Sequence, residues 1–216
     1  MIDRPTPESP AAPEALATPE ALAPDALATP EALATPDVPA PDGAALPGKP
    51  TSASRITLSH IMSAHDTNLL GTVHGGVVMK LVDDAAGAVA GRHSGGPAVT
   101  GAMDEMIFLE PVRVGDLLAV KAQVNWTGRT SMEVGVRVMA ERWNESGVAK
   151  QVASAYLVFV AVDVEGKPRH VPPVLPETDR DRRRWQEAQI RRTHRLARRR
   201  AIVELRRRRA AEGLDD

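Results

Sequence analysis

Asp66-Thr67-Asn68-Leu69-Leu70-Gly71-Thr72-Val73-His74-Gly75-Gly76-Val77-Val78-Met79-Lys80-Leu81-Val82-Asp83 is the stretch on which the reading of this chain turns. Its first half is loop-like, and its second half has the spacing of a helix that starts at the double glycine. Val78, Val82, Ala85 and Val89 make one apolar stripe, with Val77, Leu81 and Ala88 beside it, so a helix is predicted from Gly75 to Ala90. Gly75 and Gly76 allow a sharp turn and present bare N–H groups at a helix start, where the dipole favours developing negative charge. Asp83 falls two turns into that helix, a position for which aspartate has poor propensity and therefore needs a reason.

Outward from this helix the hydrophobic period changes. Arg55 to Met62 reads as a strand ahead of it. Beyond a stop at Gly91 or at Gly95-Gly96-Pro97, the period becomes two, with strands from about Ala98 to Phe108 and Leu117 to Trp126. Met132, Val134, Val136 and Val138 alternate with Glu133, Gly135, Arg137 and Met139. The next run, about Gln151 to Asp163, is apolar on both faces, as a strand covered on two sides would be. Short links containing Gly128 and Gly147 favour antiparallel neighbours. The class is α+β, one long helix against about five antiparallel strands, and a lone sheet of this size is expected to pair with a second copy.

The flanks differ in composition. Residues 1–53 hold 12 of the 18 prolines in a repeating Pro-Glu/Asp-Ala-Leu-Ala pattern, and read as a disordered acidic tail of net charge −6. Residues 54–176 form the expected domain, net −1, and residues 177–216 a basic helix, net +6, from about Asp179 to Arg209, capped by Thr178 or Asp179. The helix is expected to be solvated and laid on the oligomer. Its aromatics are too few for base stacking, which argues against nucleic acid. With no cysteine there is no disulfide framework, thiolate nucleophile or cysteine metal site, and the six histidines lack metal-ligand spacing. The absence of a secretory signal or of a long apolar run points to a cytoplasmic protein.

An ordered set of segments resembles a known family. Asp66-Thr67-Asn68, Val73-His74-Gly75-Gly76, Met79-Lys80-Leu81-Val82-Asp83, Phe108-Leu109-Glu110-Pro111-Val112, Val114-Gly115-Asp116, Gly128-Arg129-Thr130-Ser131-Met132-Glu133, Phe159-Val160-Ala161-Val162-Asp163 and Gly166-Lys167-Pro168 resemble the cytosolic acyl-CoA thioesterases of the hotdog fold. They cover about residues 55 to 175 in the family's order. One departure is Ala64-His65 in place of a more usual Pro-containing stretch.

The resemblance implies hydrolysis of acyl-CoA to CoA and a carboxylic acid, with no metal and no cofactor, CoA being part of the substrate. It implies a homodimer at minimum, with trimers of dimers (hexamers) frequent in the family. Asp83 is then the general base or nucleophile. Asn68, from a second subunit, orients water or binds the thioester oxygen, and the Gly75 and Gly76 N–H groups form the oxyanion hole. Arg129, Thr130, Ser131, Lys167 and Arg169 are candidates to meet the phosphates of CoA. His74 reads as a cap or packing group, and Asp84 as a partner for Lys80 one turn back. The rivals are a hydrolase of aryl-acyl thioesters and a non-catalytic acyl-CoA-binding regulator whose Arg-rich helix addresses DNA.

Overall fold

The computed structural model of the chain describes residues 46–145 and 147–212. The repeats expected to form the tail lie almost wholly outside the described residues. The elements are β1 (Lys49–Pro50), β2 (Ile56–Ile61), α1 (Gly75–Ser94), β3 (Ala98–Phe108), β4 (Asp116–Thr127), β5 (Ser131–Arg142), β6 (Lys150–Ala161), β7 (Val174–Leu175) and α2 (Asp179–Ala211). Five strands make one antiparallel sheet in the order β2-β4-β5-β6-β3. β6 is interior, as its two apolar faces imply, and β5 is the middle strand.

Period-two alternation assigns the two faces. Leu118, Val120, Ala122 and Val124 of β4, Met132, Val134, Val136 and Val138 of β5, and Ala153, Ala155, Leu157 and Phe159 of β6 turn to the face covered by α1. The helix meets them with Val78, Val82, Ala85, Ala86, Val89 and Ala90, all buried. Small residues dominate this stripe, so the helix can lie close to the sheet.

α1 runs four residues further than the apolar stripe predicts. Its stop is Gly95, whose φ of 74° is left-handed and whose N–H reaches Gly91 O at 2.9 Å. Around that end the fold is tied tightly. Lys49 Nζ donates to His93 O at 2.8 Å, and Arg169 donates to Ser94 O at 2.8 Å and to Ser94 Oγ at 3.1 Å. His93 itself is fully buried between Ser54 Oγ (3.3 Å) and Pro172 O (3.0 Å).

Residues 46–53, which composition grouped with the tail, help make this clamp. Lys49–Pro50 pairs in parallel with Val174–Leu175, and Thr51 is buried. The packed chain thus starts earlier than the composition shift.

The opposite, outer face of the sheet carries α2. Thr178 caps it through a reciprocal box with Asp181. Its first half docks on its own sheet, which differs from the solvated helix expected. Arg191 makes two bonds to the buried Glu133, at 2.7 and 3.2 Å, and lies 3.6 Å from the centre of the Tyr156 ring; Arg195 pairs with Asp104. Glu133 stands on the side of β5 away from the apolar positions of its alternation, yet it is 1% exposed. A buried carboxylate is tolerated here because a guanidinium fork and the Asn125 amide, at 3.2 Å, satisfy it. From residue 200 to its end at Ala211 the helix is exposed on all sides.

Burial pushes the His93 pKa below its ordinary value of about 6.5; the bond to Pro172 O opposes this and the Lys49 charge adds to it. The unfolded chain therefore takes up this proton more readily than the folded one. Stability from this group is full above about pH 6.5 and falls as pH drops below it. Denaturant midpoints measured from pH 8 down to 5 should fall below about 6.5, and the fall should be shallower in His93→Gln.

Candidate active site

The start of α1 is shaped by the loop before it. Asp66 accepts from Ser63 N–H and Oγ–H, both at 2.7 Å, which hold its carboxyl below the usual carboxylate range. Its carbonyl then takes His74 N–H at 2.7 Å, and a bridge between Thr67 and Val73 closes the loop.

Inside that loop the Asn68 side chain is held by three hydrogen bonds, which use one of its two Nδ2 hydrogens. Its Oδ1 accepts from Leu70 N–H (2.9 Å) and Thr72 N–H (3.2 Å), and its Nδ2 donates to Thr72 Oγ1 at 2.9 Å. Gly71, at φ 75°, lets the chain turn back. Leu69 and Leu70 stand at the tip almost fully exposed.

His74 is the N-cap of α1: its Nδ1 accepts from Gly76 N–H at 2.9 Å. One of the two expected oxyanion donors is thereby occupied. Gly75 N–H has no acceptor among the described residues. Gly75 lines a groove of about 360 Å³ whose walls are mostly apolar, with Val73, Val78, Phe108, Leu109 and Val112, and Glu110 at its edge. A Cβ on residue 75 would stand 3.4 Å from the Phe108 ring, so glycine keeps this mouth clear.

Asp83 is half-buried, and Thr100 Oγ1 of β3 donates to its Oδ1 at 2.8 Å. Its Oδ2 has no partner among the described residues. Asp84 pairs with Lys80 at 2.6 Å, as expected. Thr100 escaped the sequence reading. It stands immediately before a shift in the pairing of β3 with β6, where Gly101 is the extra residue, and bulges re-aim side chains. The Thr-Gly pair inside a strand was the available signal.

The candidates for CoA contact gather at one end of the sheet. Ala161 N–H bonds to Thr130 O, and Arg169 N–H bonds to Ala161 O. Their side chains are placed unequally. Thr130 is buried, and its Oγ1 and the buried Arg129 Nε have no partner among the described residues. Ser131 is half-buried at the start of β5, and Lys167 extends into solvent beside Glu165, at 2.5 Å. Arg169 gives donors to Val162 O and to the end of α1, so its guanidinium is committed largely to the clamp.

Comparison with known proteins bears on this arrangement. The Thioesterase superfamily matches residues 70–145, a span that contains the glycine start, Asp83 and Thr100. An uncharacterised acyl-CoA thioester hydrolase of Bacillus subtilis, YkhA, is 40% identical over 116 residues, covering 54% of this chain and 67% of that one. The chain belongs to the thioesterase superfamily.

Its mammalian superfamily relatives, cytosolic acyl coenzyme A thioester hydrolases such as that of Mus musculus, are 36% identical over 137 residues, 63% of this chain. The chain spans about a third of their length, 36%. Among solved structures, an acyl-CoA hydrolase from Staphylococcus aureus in complex with butyryl-CoA and CoA is 35% identical. It covers 76% of this chain and 99% of its own, with a TM-score of 0.70. Other structures of that hydrolase carry alanine in place of an Asn, an Asp 15 positions later, and a Thr 17 positions after the Asp. A hexameric acyl-CoA thioesterase in its apo form aligns with a TM-score of 0.68 at 36% identity, over 71% of this chain and 97% of its own.

The local geometry of this thioesterase-superfamily chain separates capping from ligand contact. His74→Ala should lower stability by about 1 kcal/mol through loss of the cap. Arg169→Gln should lower it by about 1.5–3 kcal/mol, and Lys167→Ala by less than about 0.5 kcal/mol. Urea unfolding of the three variants checks this order.

Proposed function

We propose that the chain is an acyl-CoA thioesterase, hydrolysing acyl-CoA to CoA and a carboxylic acid in the cytosol without metal or cofactor. The observation that carries the proposal is Asp83, held through one oxygen by Thr100 and free at the other, on the helix whose start offers an unpaired N–H. In the Staphylococcus aureus hydrolase the substituted Asn, Asp and Thr have the same separations as Asn68, Asp83 and Thr100 here. That match supports giving the three a common site.

In the reaction proposed, Asp83 Oδ2 takes a proton from water as the water oxygen adds to the thioester carbonyl carbon. The Gly75 N–H at the helix start holds the oxyanion, and one well-aimed donor can supply about 3 kcal/mol. Collapse of the intermediate breaks the C–S bond, and the CoA sulfur receives the proton from Asp83. Direct attack by Asp83 as nucleophile would use the same groups.

The oxyanion donors come from the second subunit. Gly75 and Asp83 are eight residues apart on one helix, about 12 Å along its axis, too far to meet at one carbonyl. A two-fold that sets two copies of α1 side by side would bring Asp83 of one to Gly75 and Asn68 of the other. The edge strand β3, with Met103, Ile107 and Phe108 exposed, and the leucines at 69 and 70 supply apolar surface for such a pairing. A homodimer is the minimum unit, and a trimer of dimers its natural extension.

The residues 129–131 and 167–169 lie toward the C-terminal end of α1, about 17 Å along the helix from Asp83. An extended substrate with its thioester at Asp83 could carry its phosphates in that direction. Lys167, with its charge in solvent, and Ser131 are the better placed contacts; Thr130 is buried and Arg169 is engaged. The unpaired Asp83 oxygen favours hydrolysis over a binding-only regulator, which has no use for it.

Free-thiol release from short, medium, long and aryl acyl-CoAs tests the reading. Asp83→Ala and Asp83→Asn should fold and lose about 10²–10⁴ in kcat. Thr100→Val should lose about tenfold in kcat with little change in KM, and Thr100→Ser should recover most of it. Wild-type rates in both Asp83 variants would contradict the assignment.

A further inference from the structure

The outer face of the sheet and the first half of α2 enclose a cleft of about 680 Å³, on the opposite side of the sheet from α1 and Asp83. Its size is that of a small-molecule site. Six basic side chains line it against two acidic ones. Both acids have partners: Asp181 accepts from Gln123 Nε2 at 3.1 Å and lies 3.6 Å from Arg55, and Glu187 lies 3.5 Å from Arg183. Lys121, Arg137, Arg180 and Arg184 make no side-chain hydrogen bond or ion pair among the described residues.

This positive charge is crowded. Lys121 and Arg137 are direct cross-strand partners in the β4–β5 ladder, where like charges are destabilising. Burial, then the charges of Arg137 and Arg180, push Arg184 below the usual guanidinium pKa. An anion seated among these groups would relieve all three repulsions together.

A second feature is a buried acceptor. Asn125 is the extra residue where the β4–β5 register shifts, and it is 4% exposed at the cleft wall. Its Nδ2 donates to Glu133 Oε1 at 3.2 Å, which fixes the amide orientation, and its Oδ1 has no partner among the described residues. Any Cβ at residue 135 would come within 2.3 Å of that Nδ2, so a glycine there is what admits the amide. An unpartnered buried acceptor costs about 1–3 kcal/mol, which a ligand donor would offset.

We propose that this cleft binds an organic phosphate, its phosphate oxygens among Lys121, Arg137 and Arg184 and an N–H or O–H donor on Asn125 Oδ1. A nucleotide combines the two groups, either free or as the phosphoadenosine head of CoA. Because the cleft lies across the sheet from Asp83, the bound molecule is an effector and not the thioester being cleaved.

The test is calorimetric titration of ADP and of adenosine 3′,5′-bisphosphate into the full chain, at low and at physiological salt. Wild type should bind at least one of them, more weakly as salt rises. Arg137→Gln/Arg184→Gln should lose about tenfold or more in affinity, and Lys121→Gln a smaller factor. Relief of the cross-strand repulsion should leave the unliganded variants melting no lower than wild type. Preference for ADP points to a free nucleotide and preference for the bisphosphate to the CoA head; either supports the site. No binding of either at millimolar concentration, or affinity unchanged in both variants, overturns it, as does a Lys121→Gln protein that melts well below wild type.

Discussion

Helix α1 is tied down at its C-terminal end and open at its N-terminal end. At the C-terminal end Lys49 and Arg169 bring positive charge to the last carbonyls, complementing the negative end of the helix dipole, while His93 is locked between Ser54 and Pro172. The register of α1 on the sheet is thereby set far from the chemistry. It decides that Asp83 comes opposite Thr100 and that Gly75 faces Phe108 across the groove. The helix start keeps its positive dipole end and an unspent N–H because, among the described residues, no side chain but His74 competes for it.

The sheet that carries α1 must also be covered on its far side, and the solution there is charged. Glu133 and Asp104 are buried acids, each matched by an arginine of α2. Pairs of this kind contribute little net stability against well-packed apolar residues, yet removing one partner strands a buried charge at roughly 3–5 kcal/mol. They therefore fix where α2 lies more than they strengthen the fold. On the same face Lys121, Arg137 and Arg184 make no ion pair among the described residues, so the two halves of one surface have different characters: closed ion pairs at one end, an open basic cleft at the other.

Much of the domain was legible because hydrophobic period is a direct imprint of burial. The valine and alanine stripe of α1 and the alternation in β5 predict the observed elements within a few residues, and the stop at Gly95 was among the expected ones. Type and position drew attention to 83 and 75, an acid where helices disfavour one and glycines where backbone must be bare; the family resemblance supplied their roles and that of Asn68, which by itself reads as a turn residue. Legibility failed where the answer depends on contacts between distant segments. Thr100 reaches Asp83 only through a bulge, and Gly76 N–H is claimed by a neighbouring imidazole. Arg169 serves a helix end 75 residues away, and the acid that docks α2 stands on the side of β5 away from the apolar positions of its alternation. The proposed sharing of a site between subunits would likewise be a property of an assembly, and no single-chain pattern spells it out.

The central claim is that one reaction site takes Asp83 from one subunit and Asn68 from the other. Its most direct test mixes inactive Asn68→Ala protein with inactive Asp83→Ala protein, lets subunits exchange, and measures thiol release from butyryl-CoA. Hybrid dimers should contain one intact site in two, so activity should return toward a quarter of wild type in an equimolar random mixture, about half the dimers being hybrid and each half active. No recovery after exchange has been demonstrated by mass would contradict the account.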